Sequence, residues 1–238
     1  MRRVVRGFWG LRPEPVQRLT ERWHLTLDRL AGLLPAAGDG TGRPWTWRVV
    51  AASGPGEDLT ADEPSLLSAL RSAQSAEDWS DRTGTGLRLV RQTDAGWKIE
   101  VSGLAGGAPE SLLQSMVITV VSPGAEVPPD AELLAAVAEL WDPDFGDVTD
   151  DDVMDALEDD AEWTVGDPSV GWLAYLSPGR AALLPDDFTG VRKEMQGGGL
   201  LLDIAAPDDP EAVVASYVRL REAGALQPLP RPLDRATL

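Results

Sequence analysis

The sequence predicts an α+β fold: a mixed or antiparallel sheet packed with several helices, with an acidic helical segment in the second half. Three observations carry this expectation. Short β-branched or aromatic runs are mixed irregularly with amphipathic helical stretches. Several neighbouring strand-like runs are separated by tight turns, as in hairpins rather than the long crossovers of a doubly wound sheet. No repeat of fixed period interrupts the pattern.

Arg2 to Trp9 is short, β-branched and aromatic, and reads as a strand. Pro13 and Pro15 open a helix reaching Leu34, with Val16, Leu19, Trp23, Leu27, Leu30 and Leu34 on one face. The turn-rich PAAGDGTGRP leads into a strand from Trp45 to Ala52. The stretch SGPGEDLTADEP reads as a loop in which Asp62 caps a short helix running through Ser65 to Ala73. Leu87 to Gln92, Trp97 to Ser102 and Met116 to Val121 read as strands, the first two joined by Asp94-Ala95-Gly96.

Pro128 and Pro129 precede a helix from Asp130 to Trp141. Thr149 is placed to cap an acidic helix, Asp150 to Asp159, with Val153, Met154 and Leu157 inward and aspartates against the positive end of the helix dipole. Val170 to Leu176 is an apolar strand, and Val191 to Met195 and Leu200 to Ile204 flank Gly197-Gly198-Gly199 as a hairpin. Asp209-Pro210 begins a last helix with Val213, Val214, Tyr217 and Leu220 inward, ending at Gly224. These elements form one domain over residues 1–226, divisible into halves 1–125 and 126–226. Residues 227–238 read as a proline-rich flexible tail.

The 238 residues, 43% of them hydrophobic and nine of them Trp, can build a substantial core. Absence of cysteine excludes disulfides and thiolate metal sites and fits a reducing cytoplasm. The start MRRVVRGFWGLRPEP has no secretory apolar region, and the longest apolar runs fall far short of a membrane span. The formal charge of −18 is concentrated: between Lys98 and Arg180 there is no Lys or Arg, and 18 residues are Asp or Glu. Twelve of those carboxylates lie between Asp142 and Asp167. Such a field opposes direct binding of nucleic acid and favours a basic protein surface.

Candidate chemistry is sparse. His24 is the only imidazole and no G-x-S-x-G elbow is present, so nucleophilic catalysis lacks its parts. One His and no Cys cannot supply the usual zinc ligands. The glycines of Gly38 to Gly42 and Gly84 to Gly86 are not followed by Lys-Ser/Thr and read as turns. A calcium loop starting at Asp147 puts Asp152 where glycine is required and crosses a helical pattern. A carboxylate pair for glycosidic chemistry cannot be singled out from so dense a run. The expectation is a non-enzymatic protein with no cofactor and no metal. Its partner-binding ridge would comprise Asp142, Asp144, Asp147, Asp150, Asp151, Asp152, Asp155, Glu158, Asp159 and Asp160, with Trp141, Phe145 and Trp163 as anchors. A solvated face without a partner is the alternative, and the lack of interspersed cations weighs against it.

Two segments read together resemble a known family. Gly7-Phe8-Trp9-Gly10-Leu11-Arg12-Pro13-Glu14 precedes a helix with paired Arg-Leu steps and then Trp45-Thr46-Trp47. Val170-Gly171-Trp172-Leu173-Ala174-Tyr175-Leu176-Ser177 precedes a hairpin and a helix closing on REAGAL. In this order they resemble immunity protein family 52 of bacterial polymorphic toxin systems, over Arg3 to Leu226. The resemblance implies a small cytoplasmic protein that binds and neutralises a cognate toxin, typically a nuclease domain of restriction-endonuclease fold delivered between competing bacteria. It implies no catalytic residues, and it gives Gly7, Trp9, Gly10, Gly171, Trp172 and Tyr175 to the fold. The acidic segment lies outside the family pattern, so its role rests on charge. A non-enzymatic adaptor or regulatory module that binds another basic protein is the alternative reading.

Overall fold

Alternation along the first strand sets the architecture: Arg3, Val5, Gly7 and Trp9 are buried while Val4, Arg6 and Phe8 are only half-buried. The structure, a computed structural model, describes residues 1–34, 45–50, 56–93 and 95–238. In chain order its elements are β1 (Arg2–Trp9), α1 (Val16–Leu33), β2 (Thr46–Val49), β3 (Asp58–Thr60), α2 (Glu63–Gln74), β4 (Thr85–Gln92), β5 (Lys98–Ala105) and β6 (Gln114–Val121). There follow α3 (Asp130–Trp141), β7 (Phe145–Thr149), α4 (Asp151–Ala161), β8 (Leu173–Leu176), α5 (Pro178–Ala181), β9 (Val191–Glu194), β10 (Leu200–Asp203) and α6 (Pro210–Glu222). The PAAGDGTGRP turn with its glycines, the strand end Ala51–Ala52, the start of the following loop and Asp94 lie outside the described residues.

The strands form one 10-stranded sheet in the order β3-β2-β4-β5-β6-β1-β7-β8-β10-β9. Every ladder in it is antiparallel. The chain is therefore α+β, as its hairpin-like pattern predicts. β1 lies between β6 and β7, with Val5 opposite both Ile118 and Val148. The first strand thus joins the two halves of the chain in one sheet.

On one face α1, α2 and α3 cover a continuous core that includes Val5, Leu89, Val101 and Ile118. Three tryptophans meet there. Trp141 stacks on Trp9 at 5.6 Å, takes the edge of Trp23 at 6.0 Å, and donates its indole N–H to Thr26 Oγ1 at 2.9 Å. A Cβ on Gly7 would stand 2.7 Å from Val137, so glycine is what lets α3 lie this close to β1. On the other face α4 and α6 pack together, burying Val153 and Leu157 with Val213, Tyr217 and Leu220. Val214 is only half-buried.

Five local readings change. Phe145–Thr149, inside the acidic run, is a strand with all five residues buried. Its charge hid a period-two pattern, because Asp147 faces Arg6 directly across the ladder. Asp150, not Thr149, caps α4 by accepting from Val153 N–H at 3.2 Å. Asp58–Thr60 adds a short edge strand to the expected loop, and the Val170–Leu176 strand shortens to β8.

The fifth change concerns residues 227–238, which are docked rather than flexible. Leu229 and Leu233 are buried. Gly10 N–H donates to Ala236 O at 2.8 Å, Leu11 N–H to Arg235 O at 2.9 Å, and Leu233 N–H to Glu110 O at 2.7 Å. Proline forbids a helix here but not an extended path with apolar residues turned inward. Among the described residues no helix is long and apolar enough to cross a membrane.

Candidate protein-binding site

The acidic run divides into carboxylates that face the interior and carboxylates that face water. The inward ones are met by arginines distant in sequence. Asp144 is fully buried and accepts from Arg180 Nη2 at 2.6 Å, Ser177 Oγ at 3.0 Å and Leu238 N–H at 2.8 Å. Asp147, also fully buried, accepts two bonds from Arg6 at 2.8 and 2.7 Å and one from Ser169 Oγ at 2.7 Å. Asp150 caps α4 and accepts from Arg3 Nη1 at 3.1 Å.

Arg3 is in turn held 4.5 Å over the Trp172 ring and 3.5 Å from Asp130. Burial pushes the Asp130 carboxyl above the usual aspartate value, against the opposing pull of Arg3. Burial, with Asp142 and Asp144 nearby, likewise pushes the Tyr175 phenol up to about 12.

Several residues expected to contact a partner are therefore structural. Asp144 and Asp147 are interior ion pairs, and Asp150 is a helix cap. The three aromatic anchors are also interior: Trp141 joins the tryptophan cluster, Phe145 stacks on Phe8 at 5.2 Å, and Trp163 donates to Asp167 O at 3.1 Å. Packing against the core outweighs the charge of their sequence neighbours, so none is free to anchor a partner. Gly7, Trp9, Gly10, Gly171, Trp172 and Tyr175 are all buried.

The carboxylates that remain outside lie on or beside α4. Asp151, Asp152, Asp155, Glu158, Asp159 and Asp160 are exposed, and Glu162 joins them at the C-cap, a residue the sequence reading left out. Asp151 pairs with Arg2. Among the described residues the other six make no ion pair. Asp142 stands apart at the C-cap of α3, exposed and 3.8 Å from Arg12.

This placement works against the helix. Asp159 and Asp160 occupy the last turn, where the dipole is negative and no basic residue of the helix itself answers it. Asp151 and Asp155, Asp155 and Asp159, and Glu158 and Glu162 are like-charged at i,i+4 spacing, which costs each pair a few tenths of a kcal/mol. The last turn is held instead by Arg221, which donates to Ala161 O at 2.7 Å.

Beside α4, among the described residues, no helix covers the sheet. β1, β6, β5 and β4 turn half-buried residues outward in register: Val4, Thr119, Glu100 and Val90 in one row, and Arg6, Val117, Ser102 and exposed Arg88 in the next. A shallow depression of about 320 Å³ lies on this face, lined by Val50, Arg88, Ser102, Leu104 and Ser115. Its charges are mostly self-compensating, with Arg88 bonded to Glu100 at 2.7 Å.

Among the described residues no cluster of three His, Cys, Asp or Glu is arranged to hold a metal ion. His24 donates from Nδ1 to the Ala61 carbonyl at 2.9 Å. Neither a protein-family model nor a curated protein matches the chain.

Proposed function

We propose that this protein is a cytoplasmic, non-enzymatic immunity protein that binds and neutralises a basic toxin domain, a nuclease, through the outward carboxylates of α4. The observation that carries the reading is the set of exposed acids from Asp155 to Glu162, without an ion pair among the described residues and kept at positions that disfavour the helix bearing them. A solubility face would intersperse cations among them. The interior acids of the same run, by contrast, are each matched by an arginine.

A nuclease draws a polyanion into its site and so carries a basic rim. An acidic helix laid on that rim competes with nucleic acid and speeds encounter by electrostatic steering. The likeness of the Gly7–Glu14 and Val170–Ser177 segments to immunity protein family 52 supplies the partner class.

The test is co-expression with the product of the adjacent gene, taken as the candidate toxin. Growth rescue and co-purification are expected with the native protein. Both should be lost with an Asp155→Asn, Glu158→Gln, Asp159→Asn, Asp160→Asn variant whose unfolding midpoint is not lowered. Toxicity unrelieved by the native protein overturns the reading.

A further inference from the structure

The inner side of α4 is fixed by Val153, Leu157 and Ala161, which are buried. On the flank toward β1, Asp151 reaches Arg2, and Met154 Sδ lies 3.2 Å from Arg6 Nη2. Helical periodicity places Asp155, Glu158 and Glu162 on that same flank, at i+4, i+7 and i+11 from Asp151. Apart from half-buried Met154, the positions on the side of α4 toward β1 are thus exposed carboxylates.

The opposite face of the sheet is covered by three helices, whereas on this face, among the described residues, α4 and α6 pack chiefly on each other and α4 meets the sheet at Arg6 of β1. From β1 to β4 the uncovered floor spans three strand spacings, roughly 14 Å, against a helix diameter of roughly 10–12 Å. One helix or hairpin fits. Val4, Val117, Val90 and Leu104 put apolar groups on the floor, interleaved with Ser102, Ser115, Thr119 and the Arg88–Glu100 pair. Apolar groups mixed with polar ones that offer hydrogen bonds are the composition of a protein interface.

We infer that this ledge, the open face of β1-β6-β5-β4 walled by the acidic flank of α4, seats a basic amphipathic segment of the toxin, with its apolar side on the strands and its cations against Asp155, Glu158 and Glu162. The inference rests on the function proposed above. Charge selects this occupant over a second copy of the chain, because a copy at −18 would meet the wall with like charge.

The test measures binding of the candidate toxin, the purified product of the adjacent gene, to three variants. Ser102→Lys and Thr119→Lys place cations on the floor without touching α4, and Ser102→Glu adds similar bulk with the opposite charge. Each lysine variant is expected to weaken binding at least tenfold, and Ser102→Glu is expected to weaken it less than Ser102→Lys. Urea unfolding midpoints of all three should match the native protein, because these side chains sit on the open face; a lysine variant with a lowered midpoint is replaced by Thr119→Glu against Thr119→Gln, with tighter binding expected for Glu. Native-like binding by both lysine variants, together with loss of binding by the α4 variant, overturns the ledge and leaves the acidic helix as the site. No binding of the toxin domain by the native protein overturns both.

Discussion

Arg180 and Asp144 are both completely buried, with Nη2 and Oδ2 2.6 Å apart. Arg180 is also the first cation after the stretch that begins beyond Lys98. Its guanidinium further donates to Ala225 O at 2.7 Å, and Asp144 also holds Leu238 N–H. One ion pair thus ties the start of β7 to the end of α6 and to the C-terminal segment. The densest acid in the sequence is partly internal wiring.

Removing one member of that pair leaves an uncompensated charge in the interior. Asp144→Asn or Arg180→Met should each lower unfolding free energy in urea by about 3–5 kcal/mol. Asp144→Leu combined with Arg180→Met should cost less than the sum of the two single changes, because no orphan charge remains. Additive losses would separate the two residues.

The docked C-terminal segment makes a second demand. Deleting residues 228–238 removes Leu229 and Leu233 from the interior, worth roughly 1.5–3 kcal/mol each by area, and takes a donor from Asp144. The truncated protein should unfold at a clearly lower urea concentration. A flexible segment would give no shift.

The charges on α4 should be a liability to the fold. Replacing Asp155, Glu158, Asp159 and Asp160 by their amides is expected to stabilise the protein at low salt by a few tenths of a kcal/mol per relieved pair. That gain should fade in about 1 M salt, where screening acts within roughly 3 Å. Loss of stability on neutralisation would mean that these acids support the helix.

Asp130 gives a pH dependence with a defined sign. Its carboxyl is raised in the folded state, chiefly by burial. The protonated form is therefore the one the fold prefers, so its contribution is full below the ordinary aspartate value and is lost as pH rises through the raised value. Against Asp130→Asn, the native protein should lose relative stability between pH 3 and pH 7, measured by urea unfolding at each pH. A relative gain over that interval would show that Arg3 governs this carboxyl instead.

Much of the scaffold is legible in the sequence because its signals are local. Alternation marks β1, β5 and β6; Asp62 and Asp209 mark helix starts; the glycine run marks the last hairpin. What the sequence hides is pairing at a distance. Arg6 and Asp147 are 141 residues apart, and nothing near Asp147 tells that its charge is matched. Nor does the sequence tell that Trp141, Phe145 and Trp163 turn into the core, since density of charge around an aromatic residue says little about which way it points. The four arginines of MRRVVRGFWGLR were the available clue: Arg2, Arg3, Arg6 and Arg12 all reach residues of the acidic half.

The most direct test of the acidic helix as a working surface is the association rate of the native protein with the candidate toxin, the product of the adjacent gene, measured from low to high ionic strength. The rate should fall steeply with salt for the native protein. For the Asp155→Asn, Glu158→Gln, Asp159→Asn, Asp160→Asn variant it should start lower and vary little. Equal rates with equal salt dependence for both proteins would contradict the account.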